Sequence, residues 1–309
     1  MSVFSFLVQQ IINGLSLGAM YSLIAVGFTL FFGVIDLINF AHGEIFMLGA
    51  FIALTTIGAI TGSGILTGSI FLVIVIVFLV TMSVSGLVGA AIERTVIKPL
   101  RGASNFMTLL ITMGVSIIIR ESVMLFYPNG ANPKAFPNLL PAGSISIGGA
   151  IIKYQQIFLL VVAAVTVILF YIFINKTEYG RFMRATSQDK EAALMMGIDI
   201  DKVIFITFVV GSALGALGGV LNGMYYNIIK FNMGFLSGIK GFSAAVVGGL
   251  GNIYGAVVGG LLLGFLEMSA AAFIPGGSKY QDVISFLIVI LFLIFKPSGI
   301  FGEKAYEKV

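Results

Sequence analysis

No charged side chain precedes Asp36, and the stretch that leads to it, residues 4–34, is apolar almost throughout. Wound as an α-helix at about 1.5 Å per residue, it outruns a hydrocarbon core of roughly 30 Å and spans it with some tilt. The pattern recurs over residues 45–60, 65–92, 106–126, 156–174, 203–229, 235–252, 254–274 and 283–295. Hydrophobic residues make up 59% of the chain and charged ones 10%, where soluble proteins carry about 25% charged residues. Too few polar side chains remain to coat a water-facing surface around so much apolar matter. The sequence therefore predicts an all-α, polytopic membrane protein of eight to ten transmembrane helices, with residues 1–309 forming one transmembrane domain.

The polar segments between the spans set the orientation. Positive charge accumulates on cytoplasmic loops. Arg94, Lys98 and Arg101 form one basic group; Lys176, Arg181, Arg184, Lys190 and Lys202 form a second; Lys296, Lys304 and Lys308 form a third. Nine crossings with these groups inside put the C-terminus in the cytoplasm and the N-terminus outside. The N-terminal residues lack a basic run and a small-residue cleavage site, so the first helix is expected to be retained. Residues 127–149 hold four of the seven prolines and predict an external loop, with a small hairpin around residues 144–152. Residues 175–202 predict a cytoplasmic loop.

A long helix, a polar break and a shorter glycine-rich helix occur at residues 4–60 and again at 203–252, running in opposite directions. Inverted repeats with broken helices are a transporter design in which the breaks line the pathway. Glycine recurs every four residues at Gly211, Gly215, Gly219 and Gly223, and again at Gly251, Gly255 and Gly259. Each glycine inside a helix forgoes about 1 kcal/mol against alanine. Close packing of helix backbones is the usual compensation in lipid, so both rows are expected to be helix-packing seams.

With no cysteine and one histidine, neither a metal centre nor a catalytic site is expected. A net charge of +4 reflects the basic loops and does not point to nucleic acid. The first break holds Asp36, Asn39, Phe40, His42 and Glu44 within nine residues. A charge at the bilayer centre costs about 2.5–3.5 kcal/mol on insertion scales, so such residues have a function or a partner. Asn39, Phe40, His42 and Glu44 are candidates to line a translocation path. The alternatives are that they satisfy backbone groups freed by the break, or that they lie solvated at the cytoplasmic surface. Lys240 and Phe242 are their candidate counterparts in the second half. Glu267, alone in its span, is either a paired structural acid or a cavity-lining one.

The loop at residues 175–202 contains a capped helix. Thr186 or Ser187 supplies an N-cap, Asp189 and Glu191 favour the positive helix start, and Gly197 ends a helix of about ten residues in the left-handed conformation. Glu191, Ala192, Ala193 and, after three residues, Gly197 resemble the EAA loop of ABC importer permeases. NGLSLGAMYSLIAVGFTLFFGVIDLINFAHGEIFMLGA, KPLRGAS, GFLSGIKGFSAAVVGGLGNIYGAVVGGLLLGFLE and FKPSGIFG, in that order, look like the LivH-type permeases of branched-chain amino acid importers. The Ile-x-Leu-Pro that usually follows an EAA loop is missing here.

That resemblance implies that Glu191, Ala192, Ala193 and Gly197 form a coupling helix docking on an ATPase. The chain has no phosphate loop of the G-x-x-x-x-G-K-[ST] kind. ATP and Mg are accordingly expected on two separate ATPase subunits, with no cofactor here. A second homologous permease and an extracytoplasmic substrate-binding protein complete the implied assembly in the bacterial inner membrane. Branched-chain amino acids are the implied cargo; urea or short amides on the same machinery, or passive passage of a small neutral solute, are the alternatives.

Overall fold

The structure, a computed structural model, describes residues 3–63 and 69–302. Lys304 and Lys308, part of the charge bias, and the expected start of the third span at residues 65–68 lie outside the described residues. The helices are α1 (Val3–Ile35), α2 (Ala41–Ser63), α3 (Ile70–Ile92), α4 (Asn105–Phe126), α5 (Tyr154–Lys176), α6 (Glu178–Gln188), α7 (Lys190–Met195), α8 (Ile200–Tyr226), α9 (Met233–Gly248), α10 (Ile253–Phe273) and α11 (Gly277–Phe295). Eight of them, all but α6, α7 and α9, are long and apolar enough to cross a membrane. The chain is a polytopic helical membrane protein. Helix α9 is the short one, and its 16 residues reach only about 24 Å.

Helix α1 is the central post. Every residue from Ser16 to Phe31 is buried, so no stripe of it faces lipid, as expected of a helix apolar all round. Glycines fix its closest neighbour. A Cβ on Gly18 would stand 2.7 Å from Leu261 Cα, and one on Gly264 would stand 2.2 Å from Gly18 N. Gly14 and Gly18 thus mesh with Gly260 and Gly264 along an antiparallel α1–α10 seam.

The inverted repeat is visible in the packing. Helix α1 rests on α9 and α10, while α8 rests on α2 and α3. Between α1 and α8, Phe31 meets Gly211, His42 fills the gap from Gly27 to Gly215, and Leu23 lies beside Gly218, an antiparallel register. The second break falls at residues 227–232, however, and not at Lys240–Phe242, which lie inside α9. Asn227 closes α8 in a left-handed conformation (φ 55°), a geometry asparagine tolerates.

Gly211, Gly215, Gly219 and Gly223 are all helical, and each abuts a side chain or backbone of the same chain. The expected row Gly251–Gly255–Gly259 is corrected. Gly255 and Gly259 lie against α9, but Gly251 sits in the α9–α10 turn at φ 88°, where a Cβ would meet nothing within 4 Å, serving the turn and not a helix seam.

The two ends of the bundle differ. At one end the strands β2 (Ser144–Ile147) and β3 (Ala150–Lys153) form the expected hairpin through Gly148 and Gly149, both left-handed. Ile151 N donates to Gln9 Oε1, tying the hairpin to the start of α1. A shorter pair, β1 (Lys134–Ala135) with β4 (Ile228–Ile229), anchors the proline-rich loop to the second break. At the opposite end lie α6, α7 and the basic segment after α3. There Arg101 pairs with buried Glu93 and with Asp201, and Lys98 reaches Asp201 at 3.0 Å, which fastens that segment to the start of α8.

Candidate functional site

The first break does not lie at the bundle surface. His42 Nε2 is 3.3 Å from the carbonyl of Ile24, eleven residues before the end of α1 at Ile35. The break therefore brings the His42 ring to a level about 16 Å back along α1 from its end. Asp36 remains exposed and adopts a left-handed turn (φ 61°). Asn39, His42 and Glu44 are fully buried, so the surface location fits Asp36 alone.

Each buried break residue has a definite environment. Asn39 Oδ1 accepts from Ala41 N at 3.1 Å, covering one of the unpaired amides at the start of α2. His42 packs edge-on against Phe28 and Phe31, and only glycine at positions 27 and 215 leaves room for its ring. Glu44 Oε1 accepts from Ser116 Oγ at 3.4 Å, while Oε2 points at Gly234 in the first turn of α9. Asn39 Nδ2, His42 Nδ1 and Glu44 Oε2 are buried without a hydrogen-bond partner in the structure. Three such atoms within six residues, at mid-depth, are unusual, because buried polar groups are nearly always satisfied.

The two halves meet at this break. Phe40 and Phe242 stand 6.0 Å apart, ring to ring, and Phe242 also touches Phe28 at 5.7 Å. Both Phe40 and Phe242 are half-buried, so they form a partly open apolar rim at the break. Lys240 does not join them. Two residues along a helix are about 200° apart, and Lys240 points the other way. Its Nζ reaches Glu267 Oε1 at 2.7 Å, Tyr21 Oη at 3.1 Å and the Asp282 carboxylate. Glu267 is thereby a paired acid, and Lys240 is removed from the rim.

The span at α4 is legible in the sequence, but the part its hydroxyls play at the break is not. Thr112 Oγ1 accepts from Phe40 N at 3.4 Å and lies 3.5 Å from Ile38 O, while Ser116 serves Glu44. Thr108, Thr112 and Ser116 are all buried. Their i, i+4, i+8 spacing in an otherwise apolar span was the available signal, since it places three hydroxyls on one helix face.

The polar loop is built differently from the expectation. Thr186 lies buried within α6, and the N-cap of α7 is Asp189, which accepts from Glu191 N (2.9 Å) and Ala192 N (3.0 Å). Helix α7 has six residues, because α6 takes up the chain through Gln188. Gly197 does end it in the left-handed region (φ 80°). The amides of Gly197 and Ile198 reach the carbonyls of Leu194 and Ala193, a Schellman closure. Ala193 is buried against its own subunit, so it is not a contact residue on the open side. Glu191, Ala192 and Gly197 are exposed, and Leu194, Met195 and Met196 are 63%, 86% and 82% exposed. Lys190 Nζ donates to the carbonyl of Ile35 at 3.2 Å, joining α7 to the last turn of α1 beside the break.

Residues 10–293 match the family described as branched-chain amino acid transport system, permease component. The high-affinity branched-chain amino acid transport system permease protein BraD of Pseudomonas aeruginosa is 41% identical over 305 residues, 97% of each chain. The permease LivH of Escherichia coli K12, of the same description, is 37% identical over 311 residues, 99% of each chain. A probable branched-chain amino acid transport permease, LivH of Methanocaldococcus jannaschii, is 28% identical over 91% of this chain and 88% of its own. The match runs through every transmembrane helix and both breaks, and the chain belongs to the branched-chain amino acid transport permease family.

Proposed function

We propose that this protein is the translocation subunit of an ATP-driven importer of branched-chain amino acids in the bacterial inner membrane. The observation that carries the reading is identity of 37–41% along nearly the whole chain to permeases of that transport system. The subunit performs no chemistry itself. ATP and Mg belong to two separate ATPase subunits, and an extracytoplasmic binding protein and a second, homologous permease complete the assembly. The hairpin end faces outside with the N-terminus, and α6, α7 and the C-terminus face the cytoplasm.

The geometry supplies a route for force. Leu194, Met195 and Met196 project from a helix pinned at both ends, by Asp189 and by the Gly197 turn, and this apolar knob suits a cleft on an ATPase. The Lys190 link to Ile35 then passes a displacement of α7 to the residue next to the break. From there it is five residues to Phe40 and the aromatic rim it shares with Phe242. The apolar rim of Phe40 and Phe242 suits a ligand with an aliphatic side chain.

The test is reconstitution with the ATPases and binding protein, followed by uptake of labelled leucine, isoleucine and valine, with urea and acetamide as competitors. Uptake of the amino acids that requires ATP is the expected result. Uptake of urea or acetamide alone, or solute flux without ATPases, would replace the reading by one of its alternatives.

A further inference from the structure

Helices α3 and α5 touch toward the hairpin end of the bundle, where Phe78 and Phe158 stand 6.2 Å apart, ring to ring. Beyond that contact a groove of about 460 Å³ opens toward the α6–α7 end. Met82 of α3 and Val161, Val165 and Leu169 of α5 wall it, and Leu214 and Leu217 of α8 form its floor. Among the described residues that line it only Thr166 is polar, and its hydroxyl donates to the Val162 carbonyl at 2.7 Å. From Val161 to Phe173 the groove follows α5 for about 18 Å. That is close to one leaflet's share of a hydrocarbon core of roughly 30 Å.

Each of the three helices around the groove has a cation at its α6–α7 end. Lys176 ends α5 seven residues after Leu169, and therefore on the groove face. Arg94, just past the end of α3, lies over the Phe205 ring at 4.8 Å. Lys202, in the first turn of α8, lies over the Tyr179 ring at 5.7 Å and so reaches across to the chain leaving α5. Among the described residues none of the three pairs with a carboxylate. The acids nearest to them in sequence are already taken: Glu178 by Arg181, Glu93 by Arg101, and Asp201 by Lys98 and Arg101. An apolar slot shut at one end, and open at the other beside three uncompensated cations, has the shape and charge of an amphiphile with an anionic head. Basic sites at the ends of membrane helices recognise lipid head groups in this way. We propose that the α3–α5 groove holds an acyl chain of an anionic glycerophospholipid from the leaflet at the α6–α7 end, with its phosphate facing Lys176, Lys202 and Arg94. The inference does not depend on the importer reading.

The test places the full chain in phosphatidylcholine nanodiscs that contain a phosphatidylglycerol with a diazirine near the end of one acyl chain. Irradiation followed by peptide mass spectrometry should find adducts over residues 161–173 and 210–217 several-fold above those on the exposed face of α11. A phosphatidylcholine carrying the same diazirine should label the two regions alike. Lys176→Gln combined with Lys202→Gln should lower groove labelling by phosphatidylglycerol at least about fivefold, the weight of one cation beside an anionic head group. Val165→Trp, at a position 49% exposed, should fill the groove and remove the labelling while the cations stay in place. The comparison of head groups on the unaltered chain stands without either variant. Equal groove labelling by the two lipids, or labelling that survives both variants, overturns the inference. A benzophenone on Leu169→Cys that captures a protein chain in the assembled complex would give the groove to a partner helix, and would overturn it as well.

Discussion

At the scale of single residues, the glycines divide into those that the fold needs and those that it tolerates. A Cβ on Gly219 would stand 1.8 Å from the carbonyl oxygen of Phe46, whereas one on Gly58 would meet nothing. Gly219→Ala should therefore force α2 and α8 apart and lower the thermal midpoint of the detergent-purified protein. Gly58→Ala should leave it unchanged or raise it, since alanine is worth up to about 1 kcal/mol more in a helix. Equal midpoints for the two variants would show that the α2–α8 contact is slack. Lys240 tests a different physics. With its ammonium gone, Glu267, 1% exposed, keeps only the Tyr21 hydroxyl, at 2.9 Å, as a partner among the described residues. Lys240→Met should cost about 3–5 kcal/mol, the usual penalty for breaking a buried pair from one side. Lys240→Met combined with Glu267→Gln should recover much of that loss, and a double-mutant cycle on thermal stability measures it. Additive losses would mean that the pair is not coupled.

At the scale of elements, the membrane helices were legible because lipid imposes length and composition on each one separately. Their boundaries fell within a few residues of the expectation, except at α11, which begins at Gly277 and not at residue 283. What needed the structure was anything decided by one element against another. The depth of Asn39, His42 and Glu44 depends on where residues 36–41 re-enter the bundle, and no local pattern encodes that. Lys240 and Phe242 adjoin in sequence but serve opposite faces of α9. Helix α7 shows the same limit, since Ala193 looks like a partner contact until α6 and α8 close over it. Coupling is therefore to be tested at the exposed knob. Met195→Asp with Met196→Asp should sharply reduce recovery of the ATPases with the complex, while insertion of the spans is unaffected. Asp189→Ala removes an N-cap worth about 1 kcal/mol and should weaken the same interaction in smaller measure. Full recovery and full substrate-stimulated ATP hydrolysis in the Met195/Met196 variant would show that the ATPases dock elsewhere.

At the scale of the whole molecule, two inverted halves share one central problem: the helix after each break, α2 and α9, begins away from the bundle end that the preceding long helix reaches. Gly43 and Gly238 let those two helices cross closely, as a Cβ on Gly43 would stand 2.9 Å from Gly238 Cα. Which end would receive the proposed ATPases is a matter of orientation, and the distribution of charge bears on it. Lys176, Arg181, Arg184, Lys190 and Lys202 all cluster at the α6–α7 end, while Lys134 and Lys153 belong to the hairpin end. The positive-inside rule favours the proposed cytoplasmic location of the α6–α7 end. In a chain without native cysteine, Lys134→Cys and Lys153→Cys should react with an impermeant maleimide applied to cells whose outer barrier has been opened, and Lys190→Cys should react only after the inner membrane is lysed. The two external positions lie on separate strands, so their agreement fixes the hairpin end independently of local mobility. Reaction of position 190 in cells with an intact inner membrane would invert the molecule. It would also place α7 beyond the reach of any cytoplasmic ATPase.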